Sequence, residues 1–328
     1  MKKIAAILII FSVCLLTLFS CKEDEDTTTM RIGYMAGPTG MGLAKLINDN
    51  TGTDTENTKY TFEKFTDTEK ATAALTAGNI DAICIPTSDA AKYYNTVDDA
   101  NVVLAINTLN TLFVLTDKNT TVTSFQELEG KTIYTCKNGT PKIILDTLLE
   151  KAGINANVST SVDGKEIKTP QQLGEQIIAG NVSIAVVPEP IVTSSLLTIK
   201  KNANANIEYS IDLNLNDVWL AEYESEIAMG CIVASRDFTR EHKSVVDRFL
   251  AEYKASVEYV SDKNNIETSA EYVVNAGVLQ AVPAAKTALT NLSGSIVYID
   301  GKNMKNTLKE FYTAIGMSQP DENFYYEK

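Results

Sequence analysis

A ten-residue segment that occurs twice limits the folds open to this chain. The segment AGNIDAICIP at residues 77–86 recurs 102 residues later as AGNVSIAVVP at residues 179–188. In each copy a glycine suited to ending a helix precedes an apolar run typical of a buried strand, and a proline then opens a loop. A second pair, IGY at residues 32–34 and TIY at residues 132–134, repeats at nearly the same offset, and each member precedes a glycine-containing loop. Two pairs in the same order predict two lobes of similar plan.

Strand-like apolar runs alternate with helical patterns along the chain. The first unit predicts a strand at residues 30–35, a Gly-Pro-Thr-Gly turn, and a helix that ends near Gly52. Capping-box patterns at Ser124 and Thr169 predict two further helix starts. This alternation is typical of sheets joined by helical crossovers. We therefore predict an α/β fold in which each lobe is a mostly parallel sheet with flanking helices.

Two extended apolar runs are predicted to connect the lobes, outward at residues 111–116 and back at residues 227–233. After the second crossing the chain returns to the lobe in which it began. The first lobe is accordingly predicted to comprise residues 30–110 and 230–328, and the second lobe residues 111–229.

The first twenty residues have the layout of a secretory signal. Two lysines precede an apolar run that is too short and too one-sided for a membrane span. Residues 18–21 (LFSC) resemble the lipobox of bacterial lipoproteins, so residues 1–20 are predicted to be a signal peptide and Cys21 to carry the lipid. The polar run that follows predicts a flexible tether over residues 21–29, on the extracytoplasmic side of a bacterial membrane. An ordinary signal, or a single N-terminal span with a chance cysteine, is the alternative.

The charge balance and the cysteines exclude several classes of partner. Acidic residues outnumber basic ones by 42 to 29, a net charge of −13, and such a surface repels phosphate backbones, so nucleic acid is excluded as a partner. Cys84, Cys136 and Cys231 follow no zinc or redox spacing, so neither a metal site nor a disulfide framework is expected.

Candidate ligand-binding residues lie in loops that follow predicted strands. In open α/β sheets a ligand binds beyond the carboxyl ends of the strands, where helix N-termini present free N–H groups. Four such loops, and the residues just before the first crossing, supply glycine backbone, hydroxyl, amide and carboxylate groups: Gly37, Pro38, Thr39, Gly40, Met41, Thr87, Ser88, Asn107, Thr108, Asn138, Gly139, Thr140 and Glu189. Each hydroxyl has helix capping as an alternative role.

Four of the candidate residues bear on the chemistry of the ligand. Glu189 would favour an amine-bearing ligand, although a first-turn acid can instead complement the helix dipole. Tyr34 and Tyr134 end the paired strands and can stack on a heterocycle, and Trp219 precedes the return crossing. Packing in the core is the alternative for these three aromatic residues.

Catalytic constellations are scarce in this sequence. The single histidine, His242, lies at a solvated helix start, and there is no Gly-x-Ser-x-Gly elbow, P-loop or dinucleotide fingerprint. We therefore predict a protein without catalytic residues or a cofactor, and not an enzyme.

Taken in order, these segments resemble the type II solute-binding proteins of nitrate/sulfonate/taurine-type ABC importers, also called the thiamine-precursor-synthesis-like family. The resemblance covers nearly the whole chain after Cys21 and is carried by the lipobox and by four segments: GPTGMG at residues 37–42, AGNID at 77–81, LEGKTIY at 128–134 and VPEP at 187–190. It implies a periplasmic-binding-protein type II fold, a cleft that closes on a small solute, a monomer, and delivery to a permease. A ligand-sensing domain for a membrane receptor, or a lyase with Glu189 as its base, remains an alternative on the same fold.

Overall fold

The computed structural model describes residues 26–51, 58–97, 101–137, 139–202 and 206–327. The predicted signal peptide, Cys21, Gly52 and Asn138 lie outside these residues. Among the helices within these ranges, none is long and apolar enough to cross a membrane.

The strands follow one another along the chain as β1 (Met30–Met35), β2 (Tyr60–Phe65), β3 (Ala82–Pro86), β4 (Asn101–Leu109), β5 (Leu112–Asp117), β6 (Thr132–Tyr134), β7 (Asn157–Ser159), β8 (Ser161–Val162), β9 (Lys165–Glu166), β10 (Ile184–Pro188), β11 (Tyr209–Asn214), β12 (Ala228–Ser235) and β13 (Ile296–Ile299). The predicted strand at residues 30–35 is confirmed as β1.

The α-helices are α1 (Pro38–Met41), α2 (Ala44–Asn50), α3 (Thr68–Thr76), α4 (Thr87–Thr96), α5 (Thr140–Ala152), α6 (Pro170–Ile178), α7 (Ile191–Lys201), α8 (Leu215–Tyr223), α9 (Arg236–Glu241), α10 (Lys243–Ser261), α11 (Ile266–Asn275), α12 (Val282–Asn291) and α13 (Gly301–Ala314). The helix predicted after β1 is thus divided into α1 and α2.

Two sheets define the two lobes. The first lobe contains a sheet in the order β13-β4-β12-β3-β1-β2, and the second lobe a sheet in the order β11-β5-β10-β6-β7. The predicted two-lobed α/β fold is confirmed, but both sheets are mixed rather than mostly parallel. The strand β12 runs antiparallel to β3 and β4, and β5 runs antiparallel to β10 and β11. The strands β5 and β12 each start at a connection from the opposite lobe and run away from the cleft. The neighbouring strands β3, β4, β10 and β11 run towards the cleft, so the pairings are antiparallel.

The two copies of the repeated segment occupy equivalent places in the two sheets. The strand β3 lies between the re-entering strand β12 and the parallel strand β1, and β10 lies between β5 and the parallel strand β6. The second residue of each copy is a glycine with a left-handed backbone, and it follows the end of a helix: Gly78 has φ 68° and Gly180 has φ 73°. A glycine suits these positions because a side chain disfavours that conformation. The predicted similarity of the two lobes is confirmed at this level.

The chain crosses between the sheets in two short adjacent connections. The Asn110 N–H donates to the Ile227 carbonyl at 3.1 Å, and the Ile227 N–H donates to the Asn110 Oδ1 at 3.0 Å. The runs predicted as crossings, residues 111–116 and 227–233, are instead mostly strands within the sheets, because their backbone groups pair with β10 and β11 or with β3 and β4. Only their first residues lie in the connections.

The two predicted capping boxes have different outcomes. At Thr169 the box is present, with reciprocal hydrogen bonds between Thr169 and Gln172, and α6 follows. At Ser124 the prediction of a helix is wrong, because only a single 3-10 turn (Phe125–Leu128) forms and the Ser124 side chain caps nothing. The Glu127 carboxylate accepts from the N–H and hydroxyl of Thr123 instead, and the chain turns at Gly130 with φ 69°.

Buried apolar side chains form three clusters. One lies within the first lobe, one within the second, and one extends across both near the crossings. Cys84, Cys136 and Cys231 are buried and unbridged. The apolar stripe of α10 faces the first-lobe cluster, as its spacing predicts.

Candidate ligand-binding cleft

The edges of the two sheets that carry the candidate residues face each other. In the first lobe β1, β3 and β4 end where β12 begins, since Gly230 of β12 pairs with Pro86 and Thr108. In the second lobe β10 ends where β5 begins, since Pro188 pairs with Leu112. Because β5 and β12 start at the crossings, these two edges face each other at the boundary between the lobes, which we call the cleft. The loops predicted to bind ligand therefore lie on its two sides.

The loop after β1 is hydrogen-bonded to the end of β4. Gly37 has φ 131°, a conformation that favours glycine, and α1 starts immediately after it. The Asn107 side-chain amide donates to the Thr39 carbonyl at 3.2 Å, and the Thr108 hydroxyl donates to the Asn107 Oδ1 at 2.9 Å. Asn107 and Thr108, both buried, therefore fix the position of the loop and of the start of α1.

The two lobes contact each other through hydroxyls at helix N-termini. The Ser88 Oγ at the start of α4 lies 3.1 Å from the Thr140 Oγ1 at the start of α5. Both residues are buried, with 2% and 1% exposure. Gly139, with φ 87°, turns the chain into α5. A hydroxyl can both donate and accept, so the pair can exchange its mutual bond for bonds to a ligand.

Thr87 serves the framework of the cleft. Its hydroxyl donates to the Ala228 carbonyl at the start of β12, and its carbonyl accepts from the Tyr312 hydroxyl at 3.0 Å. The residue is fully buried. These bonds join β12 and α13 to the loop after β3, so the structure gives Thr87 a role in fixing that loop.

Glu189 is fully buried and is bonded on both sides of the cleft. Its carboxylate accepts from the Thr193 N–H at 3.1 Å, from the Thr193 hydroxyl at 2.8 Å and, across the cleft, from the Asn291 side-chain amide at 2.8 Å. Burial raises the pKa of Glu189, and the hydrogen bonds from Asn291 and Thr193 oppose this shift. The bond to the Thr193 N–H caps the first turn of α7, while the bond to Asn291 ties α7 to α12 of the first lobe.

The three aromatic candidates differ in position. Tyr34 is buried in the first-lobe cluster, and its hydroxyl donates to the Ala276 carbonyl at 2.7 Å. Trp219 is fully buried beside the crossings and is stacked on Tyr223 with ring centroids 4.3 Å apart, which is the core packing expected as its alternative role. The rings of Tyr34 and Trp219 therefore pack in the core and are not exposed to a ligand. Tyr134 is half-buried at the end of β6, on the cleft edge.

Three residues of the cleft were missed by sequence reasoning. Asn291 ends α12 and carries no local pattern that points to α7. Thr193 could have been found, because it follows Glu189 by four residues, the spacing of one helical turn. Asp89 is half-buried in the first turn of α4; burial raises its pKa, and a hydrogen bond from Thr68 opposes this shift.

Within the described ranges, no group of three or more His, Cys, Asp or Glu side chains is arranged to hold a metal ion.

Solved structures of proteins from ABC transport systems, and of a sulphonate-binding protein, share this fold over most of the chain. An ABC transporter protein from Parabacteroides distasonis has a TM-score of 0.69 at 18% identity, and the match covers 92% of this chain and 100% of that chain. The zinc-bound ligand-binding component of an ABC-type import system from Staphylococcus aureus has a TM-score of 0.70 at 14% identity, covering 92% and 96%. The periplasmic aliphatic sulphonate-binding protein SsuA from Escherichia coli has a TM-score of 0.67 at 16% identity, covering 91% and 92%.

At the level of sequence, no curated protein matches the chain. The family model described as NMT1/THI5 like matches residues 94–265. This range is more than half of the chain and runs from α4 through the entire second lobe to the end of α10. With this match and the two-lobed fold, the chain belongs to the NMT1/THI5-like family.

Proposed function

We propose that this chain is a lipid-anchored solute-binding protein, which captures a small molecule between its lobes and delivers it to the permease of an ABC importer. The observation that carries the proposal is the contact of loops from both lobes, Ser88 with Thr140, beside two short crossings at Asn110 and Ile227. Two rigid lobes joined by short connections at one edge can close around a ligand by hinge rotation. The solved structures that share this fold include a ligand-binding component of an ABC-type import system and a periplasmic sulphonate-binding protein, which supports the same role.

The lobe boundaries and the binding residues are part of this proposal. The first lobe comprises residues 30–110 and 230–328, and the second residues 111–229. The ligand is bound by groups on the facing loops, chiefly the loop at residues 37–41 and the hydroxyls of Ser88 and Thr140. The half-buried Tyr134 offers a ring at the cleft edge for a heterocycle.

The acidic groups of the cleft favour a ligand with a positive or hydrogen-bond-donating group. Glu189 already accepts bonds from Thr193 and Asn291, so an amine reaching it has to replace the bond from Asn291. Asp89 presents a second carboxylate at the edge of the first lobe, and burial disfavours its charged form unless a cation or a donor compensates. An amine-bearing or heterocyclic solute would supply such a group.

The chain is further proposed to perform no chemistry and to act as a monomer. Its histidine, His242, lies next to Asp26 at the edge of the first lobe that is remote from the cleft. A general base has to be within hydrogen-bond reach of the bound molecule. His242 is not in reach of the cleft, and the other candidate base, Glu189, already accepts hydrogen bonds from Thr193 and Asn291, which supports a role in binding.

The experiment that tests the function starts from the purified protein. Small molecules released on unfolding are identified by mass spectrometry, and the refolded, ligand-free protein is then titrated with the identified compound by calorimetry. We expect one binding site, recovery of the compound unchanged, and a smaller radius of gyration by X-ray scattering when it is bound. Conversion of the compound would favour a lyase, and an unchanged radius at saturation would contradict a closing clamp.

A further inference from the structure

The first described residues of the chain are bound to the first lobe. The Asp26 carboxylate lies 2.9 Å from the His242 Nδ1 and accepts from the Thr28 N–H at 3.0 Å. The Arg248 Nη1 donates to the Asp26 carbonyl at 3.1 Å. Hydrogen bonds to Thr28 and His242 lower the pKa of Asp26 to about 2, so its carboxylate is charged at neutral pH. The predicted flexible tether therefore ends before residue 29, because Asp26 finds charged and polar partners on the lobe.

This contact lies at the edge of the first sheet that is opposite to the cleft. Asp26 leads directly into β1, which ends at the cleft, and His242 follows α9, which begins where β12 ends. Since β12 starts at the cleft and runs away from it, Asp26 and His242 share the far edge. A six-residue strand is about 20 Å long, so the contact is separated from the cleft by the full height of the sheet. We call this far edge the base of the first lobe.

Chain length ties the predicted anchor to this base. Cys21 precedes Asp26 by five residues, and five residues span at most about 18 Å when fully extended. The segment at residues 236–248 also carries four basic and three acidic residues, in a chain with a net charge of −13. The segment therefore repels anionic lipid headgroups less than the chain as a whole does.

We propose that the contact of Asp26 with His242 and Arg248 orients the anchored protein, with the base of the first lobe against the lipid surface and the mouth of the cleft directed away from it. The inference rests on the proposed lipid anchor. In this orientation the cleft is open to solutes from outside. Release of Asp26 frees the chain only up to Thr29, because the Thr29 hydroxyl donates to the Thr58 carbonyl at 2.7 Å. Thr29 follows Cys21 by eight residues, so the tether lengthens to at most about 29 Å and the protein can tilt towards a permease.

The test uses the full-length lipidated protein in vesicles of phosphatidylcholine and phosphatidylglycerol that carry a nitroxide on the headgroups. A fluorescent label is attached to Ser244→Cys at the base or to Asn119→Cys in the exposed turn after β5; both sites are exposed, whereas Cys84, Cys136 and Cys231 are buried. We expect strong quenching at position 244 and weak quenching at position 119. Asp26→Ala should remove this difference without loss of the protein from the vesicles.

The matched control is Asp237→Ala, which makes the same charge change close to the contact, at a side chain that is 86% exposed. This variant should keep the quenching difference. Vesicle flotation separates the two ways of failing. Protein that does not float lacks the lipid anchor, which overturns both the anchor and the orientation. Protein that floats with equal quenching at both positions, or with a difference that Asp26→Ala leaves intact, overturns the orientation alone.

Discussion

Gly230 is the residue at which the loop after β1 touches the re-entering strand β12. A Cβ added there would lie 2.4 Å from the Thr39 Cγ2 and 2.7 Å from the Asn107 Oδ1. Since the Thr39 and Asn107 side chains have to shift to make room, we expect Gly230→Ala to lower the free energy of unfolding by about 1–3 kcal/mol and to weaken ligand binding. Urea unfolding and calorimetry with the identified ligand measure the two effects.

The double variant Gly230→Ala with Thr39→Ser tests the cause. Serine lacks the Cγ2 methyl group, so part of the lost stability should return in the double variant. If Thr39→Ser gives no recovery, the contact between the loop and β12 is not what excludes a side chain at position 230.

Glu189 provides a prediction about pH. Burial raises its pKa above the ordinary value of 4.5, so the folded protein binds this proton more tightly than the unfolded chain does. The stabilisation of the folded protein by this bound proton is therefore fully present below about pH 4.5, and it is lost as the pH rises through the raised pKa. Glu189→Gln cannot titrate, and we expect the wild type to lose stability relative to this variant as the pH rises from about 4.5 through the raised pKa. Urea unfolding of both proteins across this range measures the difference, and a constant difference would contradict the prediction.

At the scale of single residues, the sequence predicts where a side chain lies in the fold better than it predicts its hydrogen-bond partners. Glu189 was expected at the cleft because it follows a strand and a proline, and the structure places it there. Its bond to Asn291 was not predictable, because the two residues are far apart in sequence and no periodicity links them. The selection of an amine by Glu189 stays a prediction.

The contact between α7 and α12 is the corresponding feature at the scale of helices. Asn291 donates to Glu189 at 2.8 Å and lies 3.1 Å from the Thr193 hydroxyl, and it thereby joins the last turn of α12 to the first turn of α7. We expect Asn291→Ala to weaken the closed arrangement by about 1–3 kcal/mol, because the buried Glu189 carboxyl loses its hydrogen bond from the first lobe. X-ray scattering of the ligand-free protein should show a larger radius of gyration than for the wild type.

Thr290→Ala is the control for this variant. Thr290 is exposed, precedes Asn291 in the same helix, and bonds within α12 to the Lys286 carbonyl. It should behave as the wild type does. An equal radius for Asn291→Ala, Thr290→Ala and the wild type would show that this contact does not hold the lobes together.

The repeat predicted the elements well where local signals and tertiary pairing agree. The strands β3 and β10 have the apolar run, the preceding glycine and the following proline, and all three signals survive in the structure. At Ser124 the local pattern was the same as at Thr169, but the chain continues into a glycine turn after four residues, so too little helix forms to use a cap. The direction of β5 and β12 was not predictable from composition, because it depends on the path between lobes.

At the scale of the whole molecule, the predicted anchor can be tested by a single substitution. We expect the wild type to partition with membranes and Cys21→Ala to lose lipid labelling and mature processing, because the thiol is the predicted site of lipid attachment. Cys14→Ala is the matched control, since it changes a cysteine within the apolar run of the leader. Equal lipid labelling of Cys21→Ala and the wild type would rule out this anchor.

The position of β12 has a consequence for the order in which the protein assembles. The strand β4 pairs with β12 and β13, which follow it in the chain by well over a hundred residues, whereas the strands of the second sheet all come from the segment between β4 and β12. Closing so long a loop is entropically costly while that segment is unfolded. Once the second lobe has formed, its two ends emerge side by side at Asn110 and Ile227, and β12 is delivered next to β4. We therefore expect the second lobe to fold first and the first lobe to be completed after it.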